Sequence, residues 1–220
     1  MKHLPLLGVL SAVLLFWWSA GLYPGGTQLD PTTVGYSWNE NTISALFQPY
    51  AVNGEPNPAR WYATFAVFLF CLSVAVVFHT IATFAQRWSR RVYAGEASPH
   101  GRIIRIAGFG TAIFAFLVTT PLHHIKVTLA LVCFLTLAVT LLHWLWQLRA
   151  WELFLLGLLA LALPVMNAIL FYGQIGYEWL PPIQKAGKLV AGLWLFAVYY
   201  GVPGLKAYVR AKGLCHTLNR

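Results

Sequence analysis

Histidines are the residues of this chain best suited to chemistry, and their surroundings decide what that chemistry is. His123 and His124 adjoin in sequence. A serine hydroxyl facing an imidazole that a carboxylate orients makes a nucleophile, whereas two imidazoles and a carboxylate bind zinc. Ser44 would supply the first arrangement, and Asp30, Glu40, Glu55 or Glu178 either one. A second pair, His79 and His143, would suit the axial positions of a haem. None of these has a diagnostic spacing: the chain contains no His-Glu-x-x-His, no Gly-x-Ser-x-Gly and no second histidine one helical turn from His79 or His143. Hydrogen-bonding or interfacial histidines are therefore the favoured reading. A hydrolytic or metal site at Ser44, His123 and His124 is the alternative, and haem ranks below it. Asn41, Asn57, Asn167 and Glu178 are candidate ligand contacts, and no cofactor is expected.

Six apolar stretches must position these groups, at residues 4–22, 61–84, 103–120, 127–146, 153–172 and 186–205. Each is near the ~20 residues of helix that cross a bilayer's hydrocarbon core. Hydrophobic residues make up 59% of the 220 and charged ones 10%, outside the range of soluble domains. The net charge of +9 would suggest nucleic acid in a soluble chain, but here the basic residues sort by connection. Lys2, Arg87, Arg90, Arg91, Arg102, Arg105, Arg149, Lys206, Arg210, Lys212 and Arg220 fall on one side, and only Arg60, Lys126, Lys185 and Lys188 on the other. The positive-inside rule then puts both termini in the cytoplasm. Reporter fusions at Arg220 and within residues 27–31 should report opposite compartments; the same compartment for both would overturn the six-span count.

Aromatic residues agree with these boundaries. Trp88, Trp144, Trp146 and Trp151 mark inner ends, and Tyr23, Trp61, Tyr172, Tyr177 and Trp179 outer ends. The first stretch, preceded by Lys2 and His3, is too long for a secretory signal core and reads as a retained anchor. Cys71, Cys133 and Cys215 have no disulfide or zinc spacing. Ala107, Thr111 and Ala115, and Gly187 with Ala191, would allow close helix approach. Pro164 should bend the fifth span near Asn167, whose amide at that depth asks for a partner, either another helix or a ligand.

Residues 23–60 form the longest connection, facing outward. Tyr36, Trp38, Ile43, Leu46, Phe47 and Tyr50 are too densely apolar for a solvated tether. They predict a lid with a short helix through Ser44 to Phe47, capped by Asn39 or Asn41, and a turn at Asn53-Gly54. His124, beside Lys126, is placed to hydrogen-bond the loop backbone around residues 41–44, with His123 facing water.

The loop order of Pro24-Gly25-Gly26, Gly35-Tyr36-Ser37-Trp38, Asn41-Thr42-Ile43-Ser44 and Asn53-Gly54 through Asn57 resembles a prokaryotic six-span membrane family classed as a domain of unknown function. More distantly it is similar to the eukaryotic DRAM and FGF-receptor-activating-protein group. The likeness takes in His124 as well. In the family pattern an acidic residue and then Leu-Gly follow the Ile-Ser pair; here Ala45, Leu46 and Phe47 do. The resemblance implies a six-span fold and carries no reaction with it.

The sequence thus predicts an all-α protein, one domain over 1–220, built as a polytopic six-helix transmembrane bundle with a structured outward loop between helices 1 and 2. Its expected home is a bacterial or archaeal inner membrane, and its expected partners are membrane lipids, not nucleic acid. Two function classes stand: a lipid-interacting or transport-like protein using a groove under the loop, and an intramembrane hydrolase or metalloenzyme.

Overall fold

The computed structural model describes residues 2–92, 99–120 and 122–211, with the backbone alone for residues 91, 92, 123 and 202–211. Among them are six α-helices: α1 (Leu4–Gly21), α2 (Ala59–Val92), α3 (Pro99–Leu117), α4 (His123–Gln147), α5 (Trp151–Gly173) and α6 (Leu180–Ala211). Four described stretches are long and apolar enough to cross a membrane: Leu4–Gly21, Ala59–Arg90, His124–Gln147 and Trp151–Gly173. The helix surfaces match that solvent, because Leu14, Trp17, Leu155 and Leu189 are all more than 60% exposed, where water would make so much apolar area a liability.

Several helices outrun their apolar stretches, whereas α1 and α3 end at Gly21 and Leu117, short of residues 22 and 120. α2 continues past residue 84 to Val92, α4 begins at His123 before residue 127, and α6 begins at Leu180 before residue 186. Hydropathy reports where lipid ends. Backbone hydrogen bonding continues until a breaker intervenes, and Pro181 and Pro182 are tolerated because a helix's first N–H groups have no intrahelical acceptor to lose.

α2 is central: it adjoins α1, α3 and α6, and Phe84 and Trp88 meet Trp144 of α4 edge-on. Glycines set the close approaches. A Cβ on Gly8 of α1 would stand 2.1 Å from Ser73 Oγ of α2, and one on Gly108 of α3 2.7 Å from the Phe78 side chain. Ala107 is buried as well, and the Thr111 hydroxyl bonds its own helix at Ala107 O (2.8 Å). Gly187 does bring α6 against α5, at Leu163 and Pro164. α5 is one helix through Pro164. At the other end of the molecule Tyr199 Oη donates to Lys2 O (3.0 Å) and Tyr200 Oη pairs with His3 Nδ1 (3.0 Å), joining the start of α1 to α6.

Candidate functional site: the capped end of the bundle

The α1–α2 loop is an ordered cap. Its first part is a small antiparallel hairpin, in which Gly26 N donates to Thr33 O (2.8 Å), Gly35 N to Pro24 O (3.0 Å) and Thr27 N to Asp30 O (2.8 Å). Gly25 and Gly26 have φ of +149° and +84°, a backbone that favours glycine. A Cβ on Gly26 would also lie 2.4 Å from Asn53 N. The second turn, at Asn53-Gly54, closes with Ala51 N donating to Glu55 O (2.8 Å) and a Gly54 φ of +86°.

Between the two turns lies a 3₁₀ helix, Ile43–Phe47. Its N-cap is Thr42, without a side-chain capping bond, so neither Asn39 nor Asn41 caps it as expected. Asn41 instead bridges the loop from a buried position: Oδ1 accepts from Ser37 N (2.8 Å) and Nδ2 donates to Gly26 O (2.8 Å). Asn57 is buried too. Its Nδ2 donates to Ala45 O, Leu46 O and Gln48 O at 3.0–3.2 Å, while Oδ1 accepts from Ala59 N (3.1 Å). Leu46, Phe47, Ala51 and Tyr23 form the cap's buried core, but Trp38 and Tyr50 are exposed. Trp38 stacks on Trp17 of α1 at 5.4 Å, and Tyr36 meets both Tyr23 and Trp38 edge-on. Burial, with Tyr23 nearby, holds the Tyr36 phenol above its usual range.

Two hydrogen bonds from α6, at residues the sequence did not single out, tie residues 41–43 to the bundle. Gln184 Oε1 accepts from Ile43 N (3.1 Å). Lys185 Nζ donates to Asn41 O (2.5 Å) and sits 5.8 Å from the Tyr36 ring centroid. Burial pushes the Lys185 ammonium down to about 8. No local signal links residues so far apart in the chain; the only sequence hint is a polar Gln-Lys pair just ahead of the sixth apolar run.

The groups that suggested catalysis sit as follows. Ser44 Oγ shares a hydrogen bond with Thr42 Oγ1 (2.8 Å). The His124 ring stacks on Phe171 of α5, 5.7 Å between centroids and 26° between planes, and the His123 side chain lies outside the described residues. Asp30 Oδ1 accepts from Thr32 N (2.8 Å) and Thr32 Oγ1 (2.7 Å), bonds that hold its carboxyl below the usual range. Glu178 is exposed on the 3₁₀ turn Tyr177–Trp179. Among the described residues, no three His, Cys, Asp or Glu side chains gather as metal ligands. His79 packs against Phe109 (6.4 Å), whereas His143 stacks on His100 (5.1 Å) and bonds Gln147 (3.0 Å). The two rings proposed as axial ligands thus lie against different parts of α3. Burial, with His143 beside it, holds His100 below the usual imidazole range.

Asn167 stands apart. Its Oδ1 is buried and has no hydrogen-bond partner, although an interhelical bond was the expected outcome. α5 and α6 run antiparallel with Gly187 against Leu163, so Asn167, one turn further along α5, comes level with Gln184. The orphan acceptor lies at the depth where α6 holds the cap.

Comparison with family models, with curated proteins and with solved structures finds no match.

Proposed function

We propose that this chain is a multi-pass inner-membrane protein, six-spanning with both termini cytoplasmic, that engages a lipid or lipid-like amphiphile along the α5–α6 seam beneath its outward cap. The carrying observation is the buried, unpartnered Asn167 Oδ1. A buried acceptor without a donor costs about 1–3 kcal/mol, and a headgroup hydroxyl or amine would remove that penalty. The cap's own polar groups support the same reading: Asn41, Asn57, Ser44 and Asp30 are engaged by the loop itself, which suits a fixed cover rather than a reactive surface. The six-span family of unknown function and its DRAM-like relatives, with their comparable loop, belong to this proposal. The hydrolase is the second reading, resting on Ser44 with His123 or His124.

Asn167→Leu separates the possibilities. In protein purified in mild detergent, the variant should keep or slightly raise thermal stability, since it removes an unsatisfied group, and should lose a co-purifying lipid that mass spectrometry detects in the parent. An unchanged lipid complement would defeat the proposal. Covalent labelling of Ser44 by a fluorophosphonate, or stoichiometric zinc lost on His124→Ala, would put the hydrolase in its place.

A further inference from the structure

The end of the bundle opposite the cap carries a second unbalanced polar group. Neither α2 nor α3 contains an Asp or Glu, yet Arg87 and Arg90 lie in the last two turns of one, and Arg102 and Arg105 in the first two turns of the other. Arg105 differs from the rest in being half-buried and fixed. Its Nη2 donates across the seam to Thr83 Oγ1 (3.2 Å) and Gln86 Oε1 (3.0 Å) of α2, while its Nε is buried with no hydrogen-bond partner. Gly101, one turn earlier, lets the helices close enough for this, since a Cβ there would lie 2.3 Å from Gln86 Cγ and 2.8 Å from Ala82 O.

A topogenic role explains positive charge at a membrane boundary, but it asks only for charge, not for a guanidinium held in one orientation. Two neutral acceptors position the fork without neutralising it, and a partly desolvated cation gains most from an anion. We infer that Arg105, with Arg102 one turn before it on α3 and Arg87 next to Gln86 on α2, binds the phosphate of an anionic lipid headgroup. Both Nη2 hydrogens are taken by Thr83 and Gln86, so Nη1 is the nitrogen that would meet a phosphate oxygen. Its level at the helix ends matches the headgroup layer, and exposed Ile103 and Ile106 flank it where an acyl chain would run. This site is at the far end from Asn167 and does not depend on it. Glu96, the one acid of the 93–98 connection, lies outside the described residues.

The test uses the full-length protein in an uncharged detergent, with phosphatidylglycerol, phosphatidylcholine or inorganic phosphate added, read by thermal shift and native mass spectrometry. Phosphatidylglycerol should raise the melting temperature and stay bound, and the other two should do neither. Arg87→Gln and Arg102→Gln, at exposed positions that leave folding intact, should each weaken phosphatidylglycerol binding about fivefold, the effect of one basic residue near an anionic headgroup. Arg105→Lys should weaken it more than Arg102→Lys does, because an ammonium cannot donate to Thr83, Gln86 and a phosphate oxygen in the fixed directions of the guanidinium plane. Equal stabilisation by phosphatidylcholine, or undiminished phosphatidylglycerol binding in the Arg87→Gln, Arg102→Gln double variant, would overturn the inference. So would inorganic phosphate matching the lipid. A lipid-free Glu96→Gln variant should melt like the parent; a lower melting point would identify Glu96 as the guanidinium's partner and end the proposal.

Discussion

Asn57→Ala should destabilise the protein by about 3 kcal/mol or more, and the loss should appear first in the cap. One side chain closes two elements here. Through Oδ1 it accepts from Ala59 N at the start of α2; loss of such a cap costs about 1 kcal/mol. Through Nδ2 it covers the carbonyls of Ala45, Leu46 and Gln48 at the end of the 3₁₀ helix. Truncation leaves these buried or half-buried acceptors without their donor, at about 1–3 kcal/mol for a group that water does not reach. Hydrogen exchange should quicken over residues 43–48 before any change in α2 to α6. Asn57→Asp is the sharper control, because it keeps the capping oxygen and turns a carboxylate toward three carbonyls. It should be no more stable than the alanine variant. Parental exchange in both would mean that the cap does not depend on Asn57.

What the sequence made legible was governed by solvent and by local turn chemistry. Most of each apolar stretch fell inside a helix, because lipid exposure imposes composition directly, although residues 22 and 118–120 lie past the ends of α1 and α3. The Asn53-Gly54 turn and the dense aromatic loop read correctly because positive φ and apolar density act within a few residues. The loop's role for Asn41 did not, since an asparagine ahead of a short helix looks like a cap. Only the folded hairpin brings Gly26 O to its amide. The anchors Gln184 and Lys185 were invisible for the same reason, as was the orphan state of Asn167. Helix ends were misjudged where hydrogen bonding outlasts hydropathy, as at Val92 and Leu180.

Trp194→Ala should be the most damaging substitution outside the cap, and its effect should depend on Gly157. Trp194 is fully buried, and its Nε1 donates to Leu153 O (2.9 Å) in the first turn of α5. That approach exists because position 157 has no side chain: a Cβ there would stand 2.6 Å from Trp194 Cε2 and 2.7 Å from Leu142 Cδ2 of α4. The glycine, the indole and the α4 leucine therefore form one three-helix junction. Lipid tails are as apolar as leucine, so such a junction holds through packing and the shared hydrogen bond rather than through escape from water. Emptying it should cost about 3–5 kcal/mol, as for large-to-small changes at an aromatic core site. Gly157→Ala overpacks it and should cost about 1–3 kcal/mol. Because the added methyl would enter the space that the indole vacates, the double variant should be more stable than the sum of the single losses predicts, by a coupling of about 1 kcal/mol or more. Thermal or denaturant unfolding of the four proteins in one detergent measures that coupling. Strict additivity would mean that α5 and α6 do not meet through these two residues, and the seam holding Asn167 level with Gln184 would lose its register.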